Sequence, residues 1–252
     1  MPDPKISVIT AVYNGEATIA HAIASVAAQT YPHVEHIIVD GNSSDGTMAA
    51  VEAARHDRMR VNSEPDKGIY DALNKGIGLA TGDVVGFLHS DDFLAHENAL
   101  AEFARPFADP EVEAVFSDLQ YVAKEDGDRV IRHWATGPYT SKKLRRGWMP
   151  AHPTLFVRRE VYERHGVYDT SYRIAADYDF ILRYFSQVKG RTVHIPQVLY
   201  KMRVGGVSNR DLKRIMLKSR EDLRALRKNS VGGLSSLVWK NLSKIGQFRR
   251  RD

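Results

Sequence analysis

Residues 5–11 read KISVITA, an apolar and β-branched run without strict alternation. This pattern is typical of a strand buried on both faces of a parallel sheet. Further short apolar runs follow at 34–39, 58–62 and 83–89, and segments with helical spacing of apolar residues separate them. Four strands alternating with helices predict an α/β fold with a mostly parallel central sheet over residues 1–118.

The second half of the chain is less regular. Strands are predicted at 112–118 and 120–134 with a turn at Asp126-Gly127, followed by a Pro/Gly/basic loop at 137–150. Beyond this loop the sequence predicts a short strand at 154–157, a helix at 177–186 and two apolar runs at 191–195 and 198–203.

The composition is that of an ordinary globular protein, with 43% hydrophobic and 27% charged residues among 252. The absence of cysteine excludes a disulfide scaffold, a thiol nucleophile and a cysteine-ligated metal centre. The first four residues lack the basic and apolar regions of a secretory signal, so we expect a cytoplasmic protein.

The net charge of +5 is unevenly distributed. From Ser208 onward there are 13 Lys and Arg against 4 Asp and Glu, whereas the preceding residues carry 23 against 27. A mildly acidic body with a strongly basic tail argues against a nucleic-acid-binding domain, which needs a basic face on its folded core.

Polar side chains follow successive predicted strands, at Tyr13, Asp40, Asp66 and the pair Asp91-Asp92. The carboxyl ends of parallel strands meet at one edge of the sheet, where ligands bind. Adjacent carboxylates repel each other, and a divalent cation that shares its coordination with phosphate oxygens relieves that repulsion. The sequence therefore predicts a metal-bound nucleotide, although Asp-Asp is also a common helix cap and Asp-Gly a common turn.

Other phosphate-binding motifs are missing from the sequence. No Gly-rich dinucleotide fingerprint follows the first strand and no Walker lysine motif is present. Dinucleotide oxidoreductase and P-loop functions are therefore disfavoured.

Five stretches in this order resemble a family 2 glycosyltransferase with the GT-A fold. They are 7–14 (SVITAVYN), 38–47 (IVDGNSSDGT), 66–77 (DKGIYDALNKGI), 86–92 (GFLHSDD) and 175–183 (AADYDFILR). The resemblance covers roughly residues 5–207. It implies a nucleotide-sugar-binding half at 1–118, an acceptor and catalytic-base half at 119–207, and a basic amphipathic helical tail at 208–252.

The resemblance also implies roles for individual residues. Ala11, Tyr13 and Asp40 would bind the nucleotide base, with the Asp40 carboxylate accepting a ring N–H. Asp91 would meet the ribose and Asp92 would ligate Mn²⁺ or Mg²⁺. The first acidic position of that element is Ser90 here. Two more residues would border the same pocket, Asp66 and Asn74.

Asp177 occupies the position of the catalytic base. The Glu-Asp pair common in the family reads Ala176-Asp177, and losing the neighbouring carboxylate removes a like charge. We therefore expect Asp177 to ionise readily, helped by the start of a helix. The alternative role for Asp177 is a helix N-cap, and Asp179 is expected to face solvent or pair with Arg183.

Further contacts are less specific. His152 is a candidate for the acceptor site and Arg203 for the diphosphate or acceptor, with a structural loop histidine and a surface ion pair as the alternatives. The aromatic residues around the central loop are candidates for stacking on sugars, although core packing explains Trp134 equally well. They are Trp134, Tyr139 and Trp148.

The implied activity is inverting transfer of a sugar from a UDP-sugar to a hydroxyl of a glycan or lipid-linked acceptor in surface polysaccharide or lipopolysaccharide assembly. A metal-dependent nucleotidyltransferase is one alternative, but no basic residue follows the first strand to bind a triphosphate. A noncatalytic membrane-associated scaffold is the other, and it does not explain why Asp40, Asp91, Asp92 and Asp177 occur together.

The tail alternates apolar and basic residues with helical spacing. One prediction is that 208–252 binds an anionic membrane surface on the inner face of the cell membrane, near a lipid-linked acceptor. The competing prediction is that its first helix, 209–228, packs on the catalytic domain or on a second subunit in a homodimer.

Overall fold

The structure is a computed structural model that describes residues 3–204 and 212–243. Its strands are β1 (Ile6–Val12), β2 (Val34–Asp40), β3 (Met59–Ser63), β4 (Val84–Phe87), β5 (Phe93–Leu94), β6 (Val112–Val122), β7 (Val130–Trp134), β8 (Phe156–Arg158) and β9 (Arg191–Arg203). Its helices are α1 (Ile19–Ala27), α2 (Thr47–Ala53), α3 (Ile69–Leu79), α4 (Ala99–Ala104), α5 (Ser141–Arg145), α6 (Arg159–His165), α7 (Ala176–Phe185), α8 (Leu212–Lys228) and α9 (Leu234–Ser243).

The described strands form one mixed sheet with the order β3-β2-β1-β4-β8-β6-β9-β5, and β7 pairs with β6. The first-half strands β1 to β4 pair in parallel, and every residue of β1 and β2 is buried. Both features confirm the prediction from the apolar runs. Helices pack on both faces of this sheet, which is the α/β architecture predicted for the chain.

The register of the parallel strands determines where the candidate functional site lies. Val12 pairs with Asp40, and Asp40 pairs with Ser63. The ends of β1, β2 and β3 therefore lie side by side, and the loops that follow them meet at one edge of the sheet.

The second half differs from prediction in its boundaries. Residues 112–122 form one continuous strand, and the predicted break after Asp118 is only a shift of register against β9. The two runs after residue 190 are likewise one strand, β9. Two short helices, α5 and α6, were not predicted, because α5 lies in the Pro/Gly-rich stretch and α6 follows directly on β8.

The C-terminal helices pack on the catalytic body. Ala225, Leu226 and Leu237 are buried in the same core cluster as Ile9 and Phe180. This confirms the packing prediction for the first tail helix. The two ends of the predicted tail, 208–211 and 244–252, lie outside the described residues.

None of the helices between residues 3 and 204 or 212 and 243 combines the length and the apolar character that a bilayer span requires.

Candidate active site

The nucleotide side of the cleft forms where the loops after β1, β2 and β3 converge. Gly41 packs so closely on Asp66 and Tyr13 that any side chain in its place would collide with the Asp66 carboxylate, so the three residues are in close contact. Tyr13 remains 64% exposed, which leaves its ring open to a ligand. Asn14, with a φ of 50°, holds the loop in place by accepting the Ser44 N–H at 2.9 Å.

Asp40 is fully buried at the end of β2. Its carboxylate accepts hydrogen bonds from the Ser43 hydroxyl at 2.5 Å and the Ser63 hydroxyl at 2.6 Å, and the Ser43 N–H lies 3.2 Å from both oxygens. The side chain thus binds together the loops after β2 and β3. Its predicted contact with a base remains a prediction, and the structure adds a role in holding the pocket.

Two other residues predicted near the base, Ala11 and Asn74, make contacts within the protein. Ala11 is buried in β1 opposite Val39. The Asn74 amide is committed to the backbone of Tyr168, donating to its carbonyl at 2.9 Å and accepting its N–H at 2.9 Å. The Asn74 side chain thus links α3 to the loop after α6, and its place at the border of the pocket stays a prediction.

The acidic pair after β4 has two different environments. Asp92 is fully buried, and its oxygens accept the Arg203 N–H at 3.0 Å and the Tyr200 hydroxyl at 3.2 Å. Burial, followed by the charge of Asp91, raises the pKa of Asp92 well above its usual value. Asp91 is half-buried, and its carboxylate accepts no hydrogen bond from the residues that the structure describes.

This contrast tests whether the pair fits a divalent cation. The Asp91 carboxylate accepts no hydrogen bond from the described residues, whereas each oxygen of Asp92 accepts one and keeps a further lone pair for a cation. No group of three or more acidic or histidine ligands occurs within 3–204 and 212–243, so the diphosphate and water would have to complete the coordination. The acidic pair therefore fits a divalent cation, and Asp91 is the carboxylate of the two that is less engaged by the protein.

Arg203 lies beside this pair. Its guanidinium donates to the Asp91 carbonyl at 2.8 Å, contacts His21 Nδ1 at 3.2 Å and stacks on the Phe93 ring at 4.7 Å. The surface ion-pair alternative is therefore wrong. The structure instead places a cation next to the acidic pair, where a diphosphate would need one.

Asp177 lies at the second position of α7, whose N-cap is Ala175, so the capping alternative is wrong. Its side chain is 17% exposed. The Tyr70 hydroxyl oxygen lies 3.2 Å from Oδ1, and His152 Nδ1 lies 3.4 Å from Oδ2. The carboxylate is thus oriented from two sides and still reaches solvent.

The charge state of Asp177 follows from its neighbours. Burial acts to raise its pKa, but His152, Lys218, Lys240 and the Tyr178 N–H act in the opposite direction, and the net pKa lies below its usual value. This agrees with the expected direction. The cause differs in part, because Lys218 and Lys240 belong to α8 and α9.

His152 connects the two sides of the cleft. Its Nε2 lies 3.4 Å from Nε2 of His89, which directly precedes the acidic segment. Burial lowers the pKa of His152 to about 4, so it is neutral at pH 7. A neutral His152 whose Nδ1–H faces Asp177 presents Nε2 as an acceptor to His89.

The packing of the core bears on two further predictions, the environment of Asp179 and the role of the aromatic residues around the central loop. Asp179 is fully buried, so its predicted solvent exposure is wrong, while its pairing with Arg183 is confirmed at 3.7 Å. Tyr139 and Trp148 pack against Phe185 and bond to backbone carbonyls, which favours the core-packing role.

Sequence reasoning missed His89, Tyr70, Tyr200 and Glu221, which contact or support the predicted carboxylates. His89 could have been found from its position at the end of β4. Nothing in the local pattern marks Tyr200 or Glu221, because each acts across more than 40 residues of chain.

The model of the family described as "Glycosyl transferase family 2" matches residues 7–166. The chain belongs to this family. A PGL/p-HBAD biosynthesis glycosyltransferase of Mycobacterium bovis BCG is 33% identical over 227 residues, covering 86% of this chain and 84% of that protein. The chondroitin synthase of Escherichia coli is 27% identical over 98% of this chain, but this chain spans only 36% of that protein.

Solved structures show the same fold. A mannosyltransferase of Pyrobaculum calidifontis, in complex with GDP-Man and Mn²⁺, superposes with a TM-score of 0.65 at 21% identity, covering 89% of this chain and 64% of that one. Residues 1–349 of TarS from S. aureus superpose with a TM-score of 0.66 at 16% identity, covering 98% and 94%. The glycosyltransferase therefore has the GT-A fold, and the nucleotidyltransferase alternative is set aside.

Proposed function

We propose that this glycosyltransferase inverts the anomeric centre while moving a sugar from a UDP-sugar to a hydroxyl of a glycan or lipid-linked acceptor. The observation that carries the proposal is Asp177, an ionised, oriented and partly exposed carboxylate. His152 lies between Asp177 and His89, 3.4 Å from each, and His89 precedes the acidic pair by two residues, so the base and the acidic pair are close together.

Asp177 accepts the proton of the acceptor hydroxyl as that oxygen forms a bond to the anomeric carbon. The bond from the anomeric carbon to the diphosphate oxygen breaks on the opposite face, and the electron pair leaves with the diphosphate. Tyr70 and His152 hold the carboxylate in one orientation, which keeps it aimed at the incoming hydroxyl.

On the donor side, the exposed Tyr13 ring and Asp66 flank the nucleoside, with Asp40 shaping the pocket beneath them. Asp91 would hold Mn²⁺ or Mg²⁺, while Asp92 anchors the segment to Tyr200 and the Arg203 amide. A divalent cation bound there supplies charge neutralisation to the leaving diphosphate.

Similar proteins support the substrate class. The mannosyltransferase structure contains GDP-Man with Mn²⁺, and TarS structures contain UDP or UDP-GlcNAc. The names of the relatives refer to PGL/p-HBAD biosynthesis and chondroitin synthesis, both of which concern glycan products. We extend these to a nucleotide-diphosphate sugar donor and a glycan or glycolipid acceptor for this chain.

We also propose that the protein works in the cytoplasm, peripherally on an anionic membrane. Four apolar side chains of α9 are exposed on one side of the helix: Leu234, Val238, Trp239 and Leu242. Helix α5 lies alongside, with the Ser236 hydroxyl bonded to the Arg145 carbonyl at 2.6 Å and Arg146 over the Trp239 ring at 5.9 Å.

This α5/α9 surface combines apolar and basic groups. Lys142, Arg145 and Arg146 are exposed beside the apolar stripe, and neither 141–147 nor 230–243 contains a carboxylate. An apolar stripe bordered by cations complements an anionic bilayer better than it complements a second copy of the same basic surface.

The decisive experiment replaces Asp177 with Asn, which preserves shape but removes proton affinity. Release of nucleotide in the presence of acceptor should fall at least about a hundredfold, whereas donor binding by calorimetry should be retained. Asp57→Asn is the matched control, because Asp57 is exposed in the loop before β3, at the end of that strand opposite to the candidate site. A near-normal rate for Asp177→Asn contradicts the proposed base.

A further inference from the structure

We propose that Glu221 of α8 is a positioning residue for the transfer reaction, because it fixes the backbone segment from which the Asp177 helix starts. This inference rests on the proposed role of Asp177 as the base. Glu221 is only 7% exposed, and its carboxylate accepts three consecutive backbone N–H groups, from Arg173 at 3.0 Å, Ile174 at 2.9 Å and Ala175 at 3.0 Å.

These three amides lie directly before α7, and Ala175 is the N-cap of that helix. The first N–H groups of a helix and its approach segment have no intrahelical partners, so they need acceptors from elsewhere. No side-chain cap is provided by the N-cap residue itself. A residue 46 positions later in the chain supplies the acceptor instead, and its negative charge suits a helix start.

The same segment is held from its other side by Tyr70. The Tyr70 hydroxyl donates to the Ile174 carbonyl at 2.6 Å and lies 3.2 Å from Asp177 Oδ1. Glu221 therefore fixes the N–H groups and Tyr70 fixes a carbonyl of one short segment. Together they set where the first turn of α7 begins, and with it the direction of the Asp177 side chain.

The tail helices also hold the residues that follow Asp177. Lys228 lies 3.3 Å from Asp179, and Asn229 donates to Asp179 at 3.0 Å. Lys240 of α9 is 2% exposed and lies over the Tyr178 ring at 3.1 Å. Lys240 also pairs at 2.9 Å with Asp222, the residue next to Glu221.

The consequence concerns the role of the C-terminal helices. Contacts from α8 and α9 reach residues 173–175, 178 and 179, all within four positions of the proposed base. A displacement of about 1 Å in a catalytic group can cost two orders of magnitude in rate. The tail helices are therefore part of the acceptor half, and Glu221 is the member that acts on the backbone.

The test replaces Glu221 with Gln, which keeps the side-chain length but turns one acceptor oxygen into a donor facing N–H groups. Hydrogen exchange read by mass spectrometry should show faster exchange at 173–175 and unchanged exchange in β1 and β2. Glu163→Gln is the matched control, because its carboxylate is exposed on α6 and pairs only with Arg159 four residues away among the described contacts.

The kinetic arm uses the donor, among UDP-glucose, UDP-GlcNAc and GDP-mannose with Mn²⁺, from which the wild-type protein releases nucleotide. For Glu221→Gln we expect kcat to fall about tenfold or more while donor Kd changes by less than about twofold. A residue that only stabilised the fold would instead lower kcat and the calorimetric number of donor-binding sites in the same proportion, so that kcat per binding site stays unchanged, and that outcome overturns the proposal.

Unchanged exchange at 173–175, or an unchanged kcat in folded protein, also overturns it. If Glu221→Gln does not fold, Glu221→Asp replaces it, because the shorter side chain keeps the charge but cannot span the three N–H groups, and the same split between kcat and Kd is expected. Asp177→Asn runs in parallel. Full turnover by Asp177→Asn refutes the proposed function, whereas loss there with normal turnover by Glu221→Gln refutes only the positioning role.

Discussion

At the scale of single residues, the neighbouring carboxylates of Asp91 and Asp92 differ in burial and in hydrogen bonding, and we expect them to differ in function. Each oxygen of Asp92 accepts a hydrogen bond from the protein, whereas Asp91 is half-buried and its carboxylate accepts none from the described residues. We expect Asp91→Asn to abolish the metal-dependent part of nucleotide binding while leaving thermal stability within about 0.5 kcal/mol of wild type, as for a partly exposed substitution. Calorimetric titration of nucleotide with and without Mn²⁺ measures this.

Asp92→Asn should have the opposite effects, with metal-dependent nucleotide binding retained and stability lowered. Its buried oxygens accept two hydrogen bonds, so replacing one oxygen by an amide NH₂ leaves a buried group mismatched and costs about 1–3 kcal/mol of unfolding free energy. If Asp91→Asn binds nucleotide with Mn²⁺ normally and Asp92→Asn does not, the metal belongs on Asp92 as the sequence predicted.

The buried Asp40 gives a second prediction at this scale. Its carboxylate satisfies the hydroxyls of Ser43 and Ser63, so Asp40→Ala would disturb the fold as well as the pocket. Asp40→Asn is the sharper test. Nucleotide affinity should fall by about 1–3 kcal/mol through loss of a charge-assisted acceptor, measured by calorimetry on protein shown to be folded by circular dichroism. Equal affinity would exclude a direct contact with the base.

At the scale of helices and strands, β1 to β4 were predictable and most of the later elements were less so, for a physical reason. The strands β1, β2 and β4 are parallel and fully buried, so their continuous apolar runs identify them in the sequence. Strand β9 and helix α5 depend on partners far along the chain. The hydrogen bonds from the 173–175 N–H groups to Glu221 likewise correspond to no pattern in the sequence around either segment.

Helix α7 illustrates the same limit through Asp179. Sequence spacing predicts its pair with Arg183, but burial between α7 and α8 brings Lys228 and Asn229 to the same carboxylate. We expect Asp179→Asn to lower the free energy of unfolding by about 1–3 kcal/mol, because these donors lose a charged acceptor. Urea unfolding measures it against Asp57→Asn, and equal midpoints would show that the α7–α8 contact contributes nothing.

At the scale of the whole molecule, the basic residues of the tail fall into two groups, one paired inside the fold and one exposed at the surface. Part of the tail's positive charge is used inside the fold, where Lys240 and Lys218 pair with Asp222 and lower the pKa of Asp177. The rest joins the exposed cations of α5 on the α5/α9 surface. A truncation after Asn229 would remove Lys240 and the buried Leu237, so we expect it to destabilise the protein, and substitutions test membrane binding more cleanly.

The last prediction concerns that surface. Trp239 and Leu242 are 56% and 51% exposed, so the double substitution Trp239→Ser with Leu242→Ser should fold normally. The full chain should sediment with phosphatidylserine-containing vesicles at low salt and not with neutral vesicles, because each cation contributes about 1 kcal/mol near an anionic surface. The double variant should partition at least about tenfold less, since burying large apolar side chains contributes about 1.5–3 kcal/mol each.

Met216→Ser provides the control, because Met216 is 67% exposed on α8 away from the α5 cations. It should leave sedimentation unchanged, and raising the salt should weaken binding of the full chain by screening. Equal loss in both variants, or binding to neutral vesicles alone, would contradict a specific anionic surface. A fall in molecular mass caused by the double variant alone, measured by analytical ultracentrifugation without lipid, would show instead that a second copy of the chain covers this stripe.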